Sequence, residues 1–140
     1  MNKGLKRRGI TTIVNLRPEA EDPAAFQAEE RVCQALGVGF VNIPVQGRPP
    51  TDDQLEAFLK LVRRNRGAVL VHCEMGRSRT GVMVAAFRVV VEGLAPRQAL
   101  DEIIDYGANL EEAERADMLA FLERLSHERR GWLARTAGRP

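Results

Sequence analysis

The stretch from Val71 to Gly81 reads VHCEMGRSRTG and combines residue types that can carry out nucleophilic chemistry on an anion. Cys73 follows an apolar run, and Arg79 stands six residues after it. The backbone N–H groups of the loop between them can turn inward and form an anion cradle. Gly76 lets such a loop curl because it has no Cβ. The pattern therefore predicts an anion held against a reactive thiol.

The neighbours of Cys73 have predicted roles of their own. A helix that begins near Thr80 points its positive end at the sulfur, which lowers the pKa of the thiol and makes it a thiolate at neutral pH. The guanidinium of Arg79 can hold two phosphoryl oxygens and stabilise the charge of a transition state, a geometry that lysine does not provide. The Thr80 hydroxyl can hydrogen-bond the sulfur as it leaves, and His72 can fix the cysteine backbone and add positive charge.

Taken alone, Cys73 would be interpreted as a buried packing residue, as most lone cysteines are. The full pattern H-C-x-x-G-x-x-R-T-G specifies six positions, which random chains match on the order of once in millions. We therefore favour the anion-binding interpretation. The residues predicted to contact the bound group are Glu74, Met75, Gly76, Arg77, Ser78 and Arg79.

Strands and helices are predicted to alternate around this segment, which is typical of an α/β fold with a mostly parallel central sheet flanked by helices. Binding sites in such sheets form beyond the carboxyl ends of the strands, where the segment after Val71 lies. The apolar run AVLV before it is typical of a strand buried on both faces. The predicted strands are Ile10–Leu16, Phe40–Val45 and Ala68–Val71. The predicted helices are Ala24–Leu36, a helix capped by Thr51 that runs to about Arg66, Thr80–Glu92, Pro96–Tyr106 and Leu110–Leu125.

The composition is that of an ordinary globular protein, with 140 residues, 44% hydrophobic and 29% charged. A net charge of +2 and only 5% aromatic residues do not indicate a nucleic-acid partner. No apolar run approaches the about 18 residues of a membrane span, so no membrane partner is expected. Two cysteines are too few for a disulfide scaffold, which favours a cytoplasmic location. We predict one domain over residues 1–140, with its core from about residue 4 to 125 and a C-terminal tail over 126–140.

The motif His72-Cys73-(five residues)-Arg79-Thr80-Gly81 resembles the CX5R signature of the cysteine-based protein tyrosine phosphatases. The chain looks like their compact dual-specificity branch, in particular its small bacterial and atypical members. The segments GITTIVNLRPE, FVNIP, PPTDDQLEAFLKLV and GVMVAAFR extend the similarity over about residues 4–125. The resemblance implies a dual-specificity-phosphatase-like fold that hydrolyses phosphotyrosine, phosphoserine and phosphothreonine through a phosphocysteine on Cys73. It implies no metal and no cofactor.

The chain departs from this family at the general acid. Family members usually carry an aspartate on the loop that here reads VQGRPPT, and the matching position is Gln46, which cannot donate a proton in the same way. Asp52, Asp53 and Glu74 are alternative acids, although carboxylates in a first helical turn are stabilising without any catalytic role. Without an acid, we expect good leaving groups, as in aryl phosphates and phosphoanhydrides, to react best.

Three further interpretations remain open at this stage. The chain could be a phosphate-binding pseudophosphatase, an inositol-phosphate phosphatase favoured by the charge of Arg77, or a rhodanese-like sulfurtransferase. The expected partner is a phosphoprotein or a small phosphorylated substrate. Family members also have a strand region before the part that matches Gly4, so we expect a reduced or trimmed start. The sheet edge that this would leave uncovered predicts weak self-association.

Four residues outside the motif also need an interpretation. Two of them have a functional and a structural alternative, and the other two have only a structural one. Cys33 is a core residue or a resolving thiol for Cys73. Arg17 reaches the rim of the site or pairs with Glu19 or Glu21. His127 is expected at the surface, and Trp132 is expected to cover part of the core.

Overall fold

Three parallel strands form the centre of the protein, in a computed structural model that describes residues 4–47, 49–74 and 79–138. They are β1 (Ile10–Asn15), β2 (Gly39–Asn42) and β3 (Ala68–His72), in the order β2-β1-β3. In β1, the neighbouring side chains of Ile13 and Val14 point to opposite faces of the sheet, and both are 0% exposed. The central strand is therefore buried on both faces, and the predicted α/β fold with a parallel sheet is confirmed.

The prediction that the AVLV strand is buried on both faces is wrong. Among the described strands β3 lies at an edge of the sheet, where Ala68 is exposed and the residues from Val69 to His72 are only partly buried. An apolar run also suits an edge strand that packs one face on the core, so the pattern does not distinguish the two positions.

The helices lie close to their predicted bounds. Their ends follow recognisable signals: Asp22 caps α2 ahead of Pro23, Gly37 ends it in the left-handed conformation at φ 70°, and Thr51 forms a capping box with Gln54 on α3. The described helices are α1 (Gly4–Arg7), α2 (Pro23–Leu36), α3 (Asp52–Arg64), α4 (Arg79–Val90), α5 (Pro96–Asp105), α6 (Glu112–His127) and α7 (Arg129–Arg135), with a 3-10 turn at Glu19–Glu21.

The two faces of the sheet are covered by different helices. On one face Ile13 packs with Cys33 of α2 and with Val38. The other face, with Val14 at its centre, is covered by the main core, to which α3 to α7 contribute. Gly81 of α4 permits a close helix contact there, since a Cβ on it would lie 3.2 Å from a methyl carbon of Ile103 on α5. This packing fixes the start of α4 against the end of β3.

The segment predicted as a C-terminal tail is largely helical and packed. Trp132 of α7 is 1% exposed in the main core, as expected. Arg63 of α3 donates to the carbonyl of Leu133 at 2.8 Å and to the hydroxyl of Thr136 at 2.9 Å, which ties α7 to the core. His127 is exposed, as predicted. The assignment of residues 1–140 to one domain stays a prediction, and no helix of the described ranges is long and apolar enough to cross a membrane.

Candidate active site

The carboxyl ends of the three strands place a row of polar side chains at one edge of the sheet. Asn15 is in register with Asn42 on one side and with His72 on the other. The Asn42 amide donates to the carbonyls of Asn15 at 2.8 Å and of Arg17 at 2.7 Å, so it holds the chain as it leaves β1. Cys73 follows directly after this row.

Cys73 lies between the end of β3 and the start of α4. It is 7% exposed, and the hydroxyl of Thr80 donates a hydrogen bond to its sulfur at 3.2 Å. Since α4 begins at Arg79, the sulfur lies near the end of that helix where backbone N–H groups point outward. A thiolate is stabilised in this position by a hydroxyl donor and by the helix dipole.

Arg79 presents its guanidinium at the mouth of the site. Its two terminal nitrogens donate to the carboxylate of Glu21 at 3.0 and 3.1 Å, and one of them also donates to the carbonyl of Val45 at 3.1 Å. The hydrogen bond to Glu21 raises the pKa of Arg79, and the negative charge of Cys73 adds to the effect. The guanidinium fork thus faces a carboxylate, an anion whose two oxygens it binds as it would bind two phosphoryl oxygens.

Glu21 accepts from a second arginine as well. Arg17 donates through Nε to the same carboxylate at 3.2 Å, which confirms its predicted ion pair with Glu21 and also places it at the rim of the site. The bond to Arg79 lowers the pKa of Glu21, with a further contribution from Arg17, so the carboxylate stays charged. A bound phosphoryl group would therefore compete with Glu21 for Arg79.

The imidazole of His72 contacts a carboxylate of α2. Its Nε2 lies 2.7 Å from Oε2 of Glu29, and its Nδ1 lies 3.4 Å from the carbonyl oxygen of Cys73. The other oxygen of Glu29 accepts from the amide of Asn15 at 3.0 Å. The hydrogen bond to Glu29 raises the pKa of His72, which outweighs the lowering by burial. The surroundings of His72 therefore favour the positively charged form of the imidazole beside Cys73.

This geometry agrees with comparisons to known proteins. A family model described as a DSP-PTPase phosphatase fused to NAD+ kinase matches residues 2–120. The chain belongs to the cysteine-based protein tyrosine phosphatase superfamily, in its small dual-specificity-like branch. The resemblance seen in the sequence is thereby confirmed.

The relatives differ in name and in size. A beta-lactamase hydrolase-like protein of Xylella fastidiosa is 31% identical over 99 residues, which cover 69% of this chain and 22% of that protein. The dual specificity protein phosphatase TpbA of Pseudomonas aeruginosa is 27% identical over 120 residues, covering 84% of this chain and 51% of TpbA. The chain thus spans about a fifth of the length of the first relative and about half of the length of the second.

The solved structures show the same fold. The catalytic core of the PP-IP phosphatase Siw14 of Saccharomyces cerevisiae superposes with a TM-score of 0.68, covering 94% of this chain and 81% of that one at 19% identity. The dual-specificity-phosphatase-like fold is therefore established for this chain.

The loop on which the general-acid position is predicted lies next to Arg79. Val45, whose carbonyl binds Arg79, is directly followed by Gln46, which is exposed. Gln54 of α3 holds the start of this loop by donating to the carbonyl of Pro44 at 2.8 Å. The prediction that Gln46 stands at the general-acid position is consistent with this placement.

The alternative acids differ in their surroundings. Asp52 is bound by Arg124 of α6 at 2.9 Å, so its carboxylate is used in a contact between helices. Asp53 is exposed in the first turn of α3. Glu74 is exposed beside Cys73, and its charge contributes to the raised pKa of Arg79. Of the three, only Glu74 is therefore shown to act electrostatically on the site.

Some predicted residues cannot be placed. Met75, Gly76, Arg77 and Ser78, predicted to contact the bound group, lie outside the described residues. Cys33 is 1% exposed in the cluster on the α2 face, whereas Cys73 belongs to the main core cluster on the other side. Burial raises the pKa of the Cys33 thiol. These surroundings favour the core interpretation of Cys33 over that of a resolving thiol.

Two residues of this site were missed from the sequence: Glu29 and Asn15. Glu29 lies at helical spacing between Phe26 and Cys33, on the face of α2 that packs inward, and an acidic residue on such a face was a usable signal. Asn15 ends a β-branched strand, where asparagine is depleted. Glu21 was named only as a partner of Arg17, and its bond to Arg79 had no sequence signal.

Proposed function

We propose that the chain is a phosphatase that hydrolyses phosphomonoesters through a covalent phosphocysteine on Cys73. The thiolate attacks phosphorus, the S–P bond forms, and the ester P–O bond breaks. The leaving oxygen departs with the electron pair of that bond and takes a proton from water. Water then attacks the phosphocysteine, the S–P bond breaks, and phosphate and the thiolate are released. Arg79 binds the phosphoryl oxygens in both steps, and His72 adds positive charge beside the sulfur.

The observation that carries this proposal is the 3.2 Å hydrogen bond from the Thr80 hydroxyl to the Cys73 sulfur. A protein that only binds phosphate has no use for a group that stabilises a leaving thiolate. The same bond also disfavours the pseudophosphatase interpretation. Sulfur transfer in the rhodanese manner is disfavoured by the fork of Arg79, which suits phosphoryl oxygens.

Replacement of Thr80 tests the covalent intermediate. In Thr80→Val the sulfur loses its donor, so we expect hydrolysis of the phosphocysteine to slow more than its formation and the phosphoenzyme to accumulate. A single hydrogen bond to a charged group is worth about 1.5–3 kcal/mol, so turnover of an aryl phosphate should fall about ten- to a hundredfold. Acid quenching followed by peptide mass spectrometry would locate the phosphate.

The matched control is Thr51→Val, which removes a hydroxyl from the cap of α3, where it accepts from the Gln54 N–H at 3.1 Å. It should lower stability without trapping phosphate. Phosphate trapped on a residue other than Cys73, or turnover with no trapped intermediate in either protein, would refute the covalent route.

For the substrate, we propose phosphate esters and anhydrides whose leaving groups need little protonation, such as phosphotyrosine-like aryl phosphates in a phosphoprotein or a small phosphorylated molecule. The support is Gln46, an exposed amide beside the residue that binds Arg79. The names of two similar proteins include both kinds of substrate: TpbA is a dual specificity protein phosphatase, and Siw14 is a PP-IP phosphatase. A cytoplasmic location stays a prediction.

Hydrolysis of a series of aryl phosphates tests whether the site lacks a general acid. In the wild type we expect kcat/KM to fall steeply as the pKa of the leaving phenol rises. Because a positioned general acid contributes about 10²–10⁴-fold, Gln46→Asp should speed the poorest substrates by at least about tenfold and flatten the dependence. Gln46→Asn should do neither.

A second control is Asp52→Asn, which should leave the series unchanged because Arg124 binds that carboxylate. A flat dependence in the wild type would show that an acid is present. If Asp52→Asn then made it steep, Asp52 would be that acid.

A further inference from the structure

We propose that Glu29 is a positioning residue that keeps His72 as an imidazolium against the backbone of Cys73 and so sets the upper pH limit of the site. The proposal rests on the phosphatase function proposed above, because it assigns a role in preparing the same nucleophile. Glu29 does not touch the reacting atoms; it acts through His72.

The geometry of the pair supports this role. Nε2 of His72 and Oε2 of Glu29 are 2.7 Å apart, which is short for a hydrogen bond between nitrogen and oxygen and typical of a charged pair. The Glu29 side chain is 15% exposed and that of His72 is 31% exposed, so solvent screens the pair only in part. In the imidazolium form both ring nitrogens carry protons, so Nδ1 can donate toward the Cys73 carbonyl oxygen at 3.4 Å while Nε2 donates to the carboxylate.

Glu29 is itself held in one orientation. Its second oxygen accepts from the side-chain amide of Asn15, and the side-chain Oδ1 of Asn15 accepts from the backbone N–H of Arg17 at 2.8 Å. The chain of hydrogen bonds therefore runs from the segment after β1, through Asn15 and Glu29, to His72. A carboxylate fixed by a second partner holds the imidazole ring more firmly than one that rotates freely.

The charged groups around His72 come from four parts of the chain. A cavity of about 120 Å³ beside it is lined by Asp22, which caps α2, and by Glu29 of α2. Asn15 of β1, Arg17 after that strand and His72 of β3 also line it. Cys73 follows His72, and its negative charge also raises the pKa of the imidazole. Glu29 gives the largest contribution to that shift, so its charge determines at which pH the imidazolium is lost.

The sign of the pH dependence follows from this. The folded protein favours the protonated form of His72, so the positive charge is present below its raised pKa and is lost as the pH rises through it. Above that pH the thiolate loses a stabilising neighbour and the Cys73 carbonyl loses a donor. Gln46 has an amide side chain and does not titrate, so it adds no limb of its own to the pH profile.

Nuclear magnetic resonance tests the first half of the proposal without turnover. The chain has two histidines, His72 and His127, so each ring gives its own titration. In the wild type, His72 should titrate above the ordinary histidine value. In Glu29→Gln its titration should move to lower pH, while that of the exposed His127 should not move. The matched control Glu30→Gln removes an exposed carboxylate from the next position of α2 and should leave both titrations in place.

Kinetics test the second half. The alkaline limb of kcat/KM for an aryl phosphate should move to lower pH in Glu29→Gln by the same shift that His72 shows. In a His72→Asn background, Glu29→Gln should produce no further shift. A merely structural role of Glu29 would lower activity at every pH alike, and fluorescence of the single buried tryptophan, Trp132, reports whether each variant is folded.

The outcomes separate the two proposals. An unchanged His72 titration in folded Glu29→Gln would overturn the role of Glu29 whatever the activity. A shifted titration with an unmoved alkaline limb would also overturn it, as would a wild-type His72 that titrates at the ordinary value. Absence of turnover in the wild type would overturn the proposed function, while the titrations would still decide whether Glu29 charges His72.

Discussion

Cys73→Ser is expected to lose turnover of aryl phosphates by at least about 10⁴-fold, the scale seen when an enzyme loses its nucleophile. A serine hydroxyl is not ionised near neutral pH, and the Thr80 hydroxyl and the dipole of α4 do not change that. The donors that bind phosphate remain, since Arg79 and the start of α4 are untouched. Isothermal titration calorimetry with inorganic phosphate should therefore still detect binding, while a continuous assay should detect no hydrolysis of an aryl phosphate.

The matched control is Cys33→Ala, which removes the only other thiol. Cys33 packs with Ile13 and Val38 on the α2 face of the sheet, so its loss should lower the free energy of unfolding and leave kcat/KM unchanged. Substantial turnover by Cys73→Ser would overturn the assignment of the nucleophile. Loss of turnover in folded Cys33→Ala would instead revive Cys33 as a thiol that acts with Cys73.

Arg79→Lys is expected to lower kcat/KM by about 10³-fold, within the range reported for arginines that stabilise a phosphoryl transition state. The two terminal nitrogens of Arg79 bind both oxygens of Glu21 in the absence of phosphate, which is the planar fork that two phosphoryl oxygens require. A lysine keeps the charge but offers one ammonium group. The loss should therefore appear mainly in kcat, where the transition-state charge develops, and less in the affinity for inorganic phosphate.

Arg88→Lys is the control on the same helix. Arg88 also forms a fork, donating to Glu102 at 3.1 and 2.8 Å, but it does so on the exposed surface of α4. Its replacement should leave both kinetic constants unchanged. Equal losses in the two variants would mean that charge on α4, and not the fork at the mouth of the site, is what the reaction needs.

The local parts of this protein could be predicted from its sequence because each depends on residues a few positions apart. Cys73, Arg79 and Thr80 lie on one short segment, and a strand end followed by a helix start brings them together without help from the rest of the chain. Helix ends were equally local, as the caps of Thr51 and Gly37 show. The prediction that Gln46 replaces the general acid was also local, because it depends on the place of one loop just before α3.

The partners of these residues depended on the tertiary structure. Glu21 meets Arg79 across 58 positions and Glu29 meets His72 across 43, because the parallel sheet brings the ends of β1 and β3 and the adjoining 3-10 turn and α2 to one edge. Sequence spacing carries no information on contacts of this range. The order of the strands was likewise decided by packing, which places β1 in the centre and β3 at an edge although both are apolar. The proposed nucleophile and the arginine proposed to bind phosphate were thus determined by the sequence alone. The charges that hold them were determined by the fold, since only the fold brings distant carboxylates within hydrogen-bonding distance.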